Sequence, residues 1–332
     1  MTRRVPAIFA ALACTAAIGY AQSVISAHSG LVHYIEGEVF LAEKPVEPKF
    51  GKFPEIEEGA VLRTGEGRAE VLLTPGVFLR LGEDSAIKML SSRLIDTRIE
   101  LVQGSILIEC VELLEGNNIA VAASDRTIEI AKRGLFRLDA QPATLKVYDG
   151  EARVGRSGEI DTVKVKDGRE LALSDSAAEP AKFDDEDGDA LHRWAQRRAG
   201  YLAMANVSAA NSVRRSSYDW RSSGWLWNPY FGMLTYVPYR SSFYSPFGYQ
   251  FWSPRQVYQV YEPRVWRAPQ QGGGGTYEPR YNSNVGYRTA PRISGSYPSA
   301  PSGGSAPAAA PAPSVRTSES AAPRQSSGGR GR

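Results

Sequence analysis

The residue types that most often carry enzyme chemistry are sparse in this chain. Its three histidines are His28, His33 and His192, and its two cysteines are Cys14 and Cys110. Nucleophilic hydrolysis needs a serine or cysteine held by a histidine base, and no Gly-x-Ser-x-Gly turn is present. His28 and His33 are spaced unlike a pair of metal ligands on one helix face. The sequence therefore predicts no catalytic, cofactor-binding or metal-binding residue, and no enzyme.

Carboxylates are more abundant, and their spacing favours structural roles. The acidic run 184–189 invites a calcium interpretation, but counting back from Gly188 places Phe183 at the first ligand position of an EF-hand loop. Acid at that point instead favours the start of a helix. Three glutamates lie in short alternating stretches and are expected to face solvent: Glu38, Glu70 and Glu100.

Overall composition narrows the class of partner. The chain has 332 residues, a net charge of +3 and 23% charged residues, whereas a dedicated nucleic-acid binder carries a strongly basic face. We therefore expect no nucleic-acid partner. The oligomeric state is left open.

The N-terminus predicts export. Arg3 and Arg4 precede an apolar run of signal-peptide length, and Gly19-Tyr20-Ala21 supplies small residues for cleavage. Residues 1–21 are predicted to be removed, which places the mature protein in the periplasm or outside the cell, with no integral membrane segment. Lipid attachment at Cys14 remains an alternative. Cys110 lies in an apolar run and is predicted to be a buried thiol.

The elements that would position any functional residue begin at about residue 30. From residue 30 to 173, short stretches rich in β-branched and large apolar residues alternate with Gly, Pro, Asp or Asn. No helical period appears there, so an all-β domain is expected. Periodicity alone leaves a β-sandwich and a β-solenoid open.

Four ordered stretches of this domain resemble the FecR family. They are the Thr-Gly turn and strands of 64–81, the Leu-x-x-Gly step of 99–106, the Gly-Leu-Phe segment of 132–138 and the closing hairpin of 147–154. The glycines of these motifs are Gly65, Gly67, Gly76, Gly104, Gly134 and Gly150. The resemblance implies a twisted, solenoid-like β fold. Regulators of that family carry an anti-sigma segment and a membrane helix ahead of the domain, where this chain has a predicted signal peptide.

Three further segments follow the β domain. Residues 183–211 show a helical period, with Leu191, Trp194, Ala195, Tyr201, Leu202 and Ala205 on one face. Residues 218–266 are rich in aromatic residues beside Pro or Gly. Residues 270–332 are of low complexity and are predicted to be disordered, because they cannot bury enough apolar surface to offset ordering entropy.

The aromatic segment is the candidate contact surface. Either its rings pack on the β domain and the helix, or they stay exposed for a partner, which would be a protein or an envelope polysaccharide. The possible contact residues are Trp220, Trp225, Trp227, Tyr230, Tyr239, Tyr249 and Trp252.

The leading hypothesis is thus a non-enzymatic, exported envelope protein, in which a FecR-like module binds or scaffolds a partner. The alternative is an extracytoplasmic sensor that acts through a membrane or sigma-factor regulatory partner. An enzyme acting on wall polysaccharide comes third.

Overall fold

Short β-strands separated by tight turns make up most of the chain between residues 31 and 182. The computed structural model describes residues 28–156, 162–175, 177–184, 188–216 and 219–261, all within one compact unit. The predicted signal peptide (1–21), Cys14 and the predicted tail (270–332) lie outside the described residues.

One sheet contains the strands up to residue 182. These are β1 (Leu31–Leu41), β2 (Lys44–Pro45), β3 (Val61–Leu72), β4 (Val77–Leu81), β5 (Ala86–Arg93), β6 (Asp96–Gln103), β7 (Ser105–Cys110), β8 (Asn118–Ala123), β9 (Arg126–Ala140), β10 (Ala143–Arg156), β11 (Val163–Lys166), β12 (Arg169–Ala172) and β13 (Ala181–Lys182).

Seven of these strands close into a barrel. The hydrogen-bonded order is β3, β4, β7, β9, β8, β6 and β5, and β5 pairs again with β3. The β6–β8 pair is parallel and the other pairs in the ring are antiparallel. The predicted all-β class is therefore confirmed, and the strand path refines the solenoid-like expectation into a closed ring.

Two long strands bend so that each pairs with two ring neighbours. The first half of β3 pairs with β5 and its second half with β4, while β9 pairs first with β8 and then with β7. The bends lie at glycines. A Cβ at Gly67 would lie 2.5 Å from the backbone nitrogen of Glu38, and one at Gly134 would lie 2.0 Å from the carbonyl oxygen of Asp149. Glycine is therefore needed where the chains approach this closely.

The motif glycines that the sequence singled out all lie in this ring or on β10, which pairs with it. Gly65 and Gly67 lie in β3, Gly76 in the β3–β4 turn, Gly104 between β6 and β7, Gly134 in β9 and Gly150 in β10.

The ring encloses the main hydrophobic core. Alternate residues of each strand point inward, among them the fully buried Val71, Leu79, Ile108 and Phe136. Cys110 belongs to the same core, as predicted, and burial raises the pKa of its thiol to about 12.

The chain then forms a long helix and small hairpins: α1 (Ala190–Arg215), β14 (Gly224–Asn228), β15 (Met233–Val237), β16 (Phe243–Tyr244), β17 (Gln250–Phe251) and α2 (Tyr258–Tyr261). α1 begins at Ala190, because the Asp189 carboxylate caps it by accepting from the backbone N–H of His192 at 2.8 Å. The expected apolar face is buried with one exception, Tyr201, whose exposed fraction is 49%.

Candidate binding surface

The outer face of β3, β4 and β7 is covered by the helix and the aromatic segment. Leu72 and Phe78 point outward from the barrel into a second apolar cluster with Leu202 and Trp225. The Phe78 ring lies 5.2 Å from that of Trp225, edge-on. Both faces of these strands are therefore buried.

Charged side chains are buried on this covered face as well. The Arg80 guanidinium donates from Nε to Glu70 Oε2 at 2.9 Å and from Nη1 to Glu109 Oε2 at 2.7 Å. The three side chains are fully buried. The expectation that Glu70 faces solvent is therefore wrong, because α1 covers it.

The helix supplies the second cation of this group. Arg198 Nη2 donates to Glu70 Oε1 at 2.8 Å, and its guanidinium lies 3.7 Å from the centre of the Tyr34 ring. Together, two carboxylates and two guanidinium groups balance, as buried charges must if the desolvation cost is to be offset. We call Glu70, Arg80, Glu109 and Arg198, with His33, the charge cluster.

His33 joins the cluster to the aromatic segment. Its Nδ1 lies 3.0 Å from Glu70 Oε1, and its Nε2 accepts from the backbone N–H of Leu234 at 3.0 Å. The proton of the neutral ring is thus on Nδ1, which donates to the carboxylate. Ser245 adds a further link, because its hydroxyl donates to Glu109.

The pKa shifts follow from burial and from the neighbouring charges. Burial alone would raise the pKa of Glu70, but Arg198, Arg80 and His33 hold it well below its usual range. Burial lowers the pKa of His33 below 6.5, although Glu70 opposes that shift. Glu70 is therefore ionised, and it accepts hydrogen bonds from groups inside the fold. The bond from Arg198 attaches α1 to the barrel.

Most of the predicted contact aromatics pack against the barrel or the helix. Trp225 is buried. Trp220, Trp227, Tyr239, Tyr249 and Trp252 are partly buried. Tyr230 differs, because 88% of its surface is exposed. Packing thus accounts for most of these predicted contact residues, and Tyr230 alone among them is exposed.

Three exposed aromatic rings lie where two turns meet. The turn at residues 49–52 presents Phe50, which is 79% exposed, and the β14–β15 turn presents Tyr230 and Phe231. The Phe50 ring contacts Trp227 edge-on at 5.4 Å between centroids. We call Phe50, Trp227, Tyr230 and Phe231, with Lys49 and Lys52, the tip surface. Sequence analysis missed Phe50, which lies far from the aromatic segment along the chain.

The described residues hold neither a metal-binding group nor a membrane-spanning helix. They contain no group of three or more His, Cys, Asp or Glu side chains arranged to hold a metal ion. Among their helices, none has both the length and the apolarity needed to cross a bilayer.

Comparison with known proteins gives a distant likeness. No family model matches the chain, and no curated protein matches it. Two crystal structures of a candidate anti-sigma factor from Parabacteroides distasonis are similar, with 13% and 12% sequence identity and a TM-score of 0.33 each. The similarity covers 42% of this chain and 64% and 65% of the matched chains, so less than two thirds of their length is spanned.

Proposed function

We propose that this chain is a non-enzymatic, exported envelope protein in which a FecR-like barrel displays an aromatic contact surface to a partner. The observation that carries the proposal is the tip surface. Phe50 and Tyr230 are 79% and 88% exposed, although rings of this size are usually buried. Contiguous exposed apolar surface of this kind marks interaction sites.

The rigidity of the support favours a binding function. Both turns of the tip surface are fixed by hydrogen bonds, from Lys52 N–H to the Lys49 carbonyl at 3.0 Å and from Tyr230 N–H to Asn228 Oδ1 at 3.0 Å. β14 and β15 are in turn attached to the barrel through His33 and the Trp225 packing. A preorganised aromatic surface loses little entropy when a partner binds.

The FecR assignment rests on the sequence motifs and their positions. The four resembling stretches lie on the β3–β4 hairpin, the β6–β7 junction, β9 and β10. The same motifs support a second candidate function, an extracytoplasmic sensor that acts through a membrane or sigma-factor regulatory partner.

Export is tested on the native protein by fractionating its source cells and sequencing the N-terminus of the recovered chain. We expect periplasmic or extracellular material that begins at Gln22. A chain that retains Met1 in the cytoplasm would overturn the proposed location.

Affinity capture from envelope extracts tests the binding function and separates the two candidates. The mature chain should retain an envelope component, and the Tyr230→Ser variant should retain less of it. The scaffold function predicts capture of an envelope polymer, whereas the sensor function predicts co-purification of a membrane regulator. Equal recovery by the two chains would contradict a role for the tip surface.

A further inference from the structure

The tip surface has a chemistry that identifies one kind of partner. At the turn 49–52, Gly51 has a φ of +69° and allows the chain to reverse, so that Phe50 stands at the apex between two lysines. The Lys49 side chain is 64% exposed, and Lys52 is exposed as well. An exposed apolar ring thus lies between two exposed lysines along the chain.

The second turn lies directly against the first. A Cβ at Gly232 would lie 2.8 Å from the Phe50 ring, so the β14–β15 turn contacts that ring through a position with no side chain. Asn228 Oδ1 accepts from the N–H groups of Tyr230 and Phe231, which sets both rings at the end of the hairpin. The two turns therefore form one protrusion that carries three exposed aromatic rings.

A basic hollow adjoins this protrusion. It has a volume of about 430 Å³ and is lined by Lys44, Lys49 and Lys52, with Glu47 as its one carboxylate and Phe53 on its wall. Glu47 lies 3.5 Å from Lys49, which leaves the lining with a net charge of +2. Phe53 also contacts Trp227, at 5.9 Å between ring centroids, so the hollow and the rings belong to one surface.

We propose that the tip surface docks on an anionic phospholipid membrane. The rings of Phe50, Tyr230 and Phe231 enter the boundary between headgroups and acyl chains, and the lysines of the hollow bind lipid phosphates. Aromatic rings and lysines are the residues that proteins place at this interface. The proposal rests on the proposed contact surface and names its partner, but it does not depend on export.

Shape favours a membrane over a glycan. Phe50 and Trp227 meet at an interplanar angle of 83°, so they form no flat platform on which a sugar ring could stack. The rings protrude from turns, whereas sites for small molecules and sugar units are concave. Protruding rings beside a cationic hollow match an anionic bilayer, which has negatively charged headgroups at its surface and an apolar interior.

The test is co-sedimentation of the full mature chain with vesicles. We expect retention by vesicles of phosphatidylcholine mixed with phosphatidylglycerol, and retention about tenfold weaker with phosphatidylcholine alone. The Phe50→Ser/Tyr230→Ser double variant and the Lys49→Gln/Lys52→Gln double variant should each bind anionic vesicles about tenfold more weakly.

Matched control variants separate the tip surface from the rest of the chain. Tyr244 is 63% exposed in β16, and Lys164 and Lys166 are exposed in β11. Tyr244→Ser and Lys164→Gln/Lys166→Gln should bind within about twofold of the unchanged chain. An unchanged melting temperature in every variant would show that the fold is intact.

Three results would overturn the proposal. The first is equal binding by the tip variants and their controls, which would assign vesicle binding to another part of the chain. The second is no retention by anionic vesicles. The third is that the chain binds peptidoglycan and that the tip variants lose this binding but still bind vesicles. That result would leave the proposed function intact and would change its partner from a membrane to peptidoglycan. Recovery of the chain from the cytoplasm with an intact Met1 would instead refute the proposed function, and the result with vesicles would be unaffected.

Discussion

Glu70 is the residue on which most contacts of the charge cluster converge. It accepts from Arg80 on the adjacent strand, from Arg198 on α1 and from the ring of His33. Removing one member of a buried charge group lowers the free energy of unfolding by more than the whole group contributes to it, because the remaining charges are left without compensation. The cluster therefore makes the covered face sensitive to single substitutions.

Substituting Glu70 should destabilise the fold strongly. Glu70→Gln keeps the shape but removes the charge that compensates Arg80 and Arg198, and we expect the free energy of unfolding to fall by about 3–5 kcal/mol. Urea denaturation measures the change. Glu66→Gln is the matched control on the same strand, where the side chain is exposed, and should cost less than about 0.5 kcal/mol. Equal losses in the two variants would contradict the role of the cluster.

The depressed pKa of His33 predicts that stability falls on acidification. Its pKa lies below 6.5 in the folded chain, so the unfolded chain binds more protons as the pH drops through that value. His33 therefore contributes stability that is present above about pH 6.5 and is lost as the pH falls through the folded pKa. Glu70 acts with the same sign below its own ordinary pKa of 4.5.

A variant isolates the histidine contribution. Between about pH 7 and about pH 5, His33→Gln should lose less unfolding free energy than the unchanged chain, because glutamine does not titrate. Urea denaturation at a series of pH values measures both slopes, and His28 and His192 are common to the two proteins. Identical slopes would show that His33 is not the titrating group.

At the scale of elements, α1 and the β14–β15 hairpin behave as parts of the core. α1 buries Leu202 against Trp225, and Thr235 of β15 donates to the carbonyl oxygen of Leu202 at 2.7 Å. Asn206 of α1 donates from its side chain to the carbonyl oxygen of Tyr236 at 2.8 Å. Side-chain hydrogen bonds and apolar contacts thus hold these elements together where no sheet joins them.

Two aromatic substitutions should distinguish a ring that packs in the fold from a ring that is exposed to a partner. Trp225 is 2% exposed and contacts Phe78 and Tyr236, so Trp225→Ala should lower the free energy of unfolding by about 3–5 kcal/mol. Tyr230→Ala removes a ring that is 88% exposed and should change it by less than about 0.5 kcal/mol. Thermal and urea denaturation provide the measurement. A large loss in Tyr230→Ala would mean that its ring packs in the fold.

At the scale of the whole molecule, the barrel and the C-terminal elements should unfold together. The charge cluster and the second apolar cluster both span the two, so neither part can leave without exposing buried charge and buried rings.

The distribution of tryptophan makes this cooperativity measurable. All of the tryptophans lie from Trp194 onward, so their fluorescence reports on α1 and the aromatic segment and not on the barrel strands. Far-ultraviolet circular dichroism reports mainly on the strands. We expect the two signals to change at the same urea concentration, and a fluorescence transition well before the dichroism transition would show that the segment detaches from a folded barrel.

Local pattern was sufficient to predict the element types. Alternating β-branched residues and glycine turns predicted the strands, and the period of three and four residues predicted α1, because both depend on short stretches of chain. The sequence also contained an unused signal. Leu72 lies on the same face of β3 as Glu70, and Phe78 lies on the same face of β4 as Arg80. A large apolar residue on each of these faces indicates that they are covered.

The amino-acid sequence by itself determined the all-β class, the presence of one long helix after the β domain and the buried state of Cys110, since each follows from residues that are neighbours along the chain. The helix was predicted over residues 183–211 and lies at Ala190–Arg215. Only the tertiary structure decided the closure of the ring, the burial of Glu70 and the contact of Phe50 with Trp227. These depend on contacts between residues far apart in sequence, such as Arg198 with Glu70 and Leu234 with His33. Such contacts form when burial of apolar surface by the whole fold offsets the entropy of closing long loops, and no local pattern records that balance.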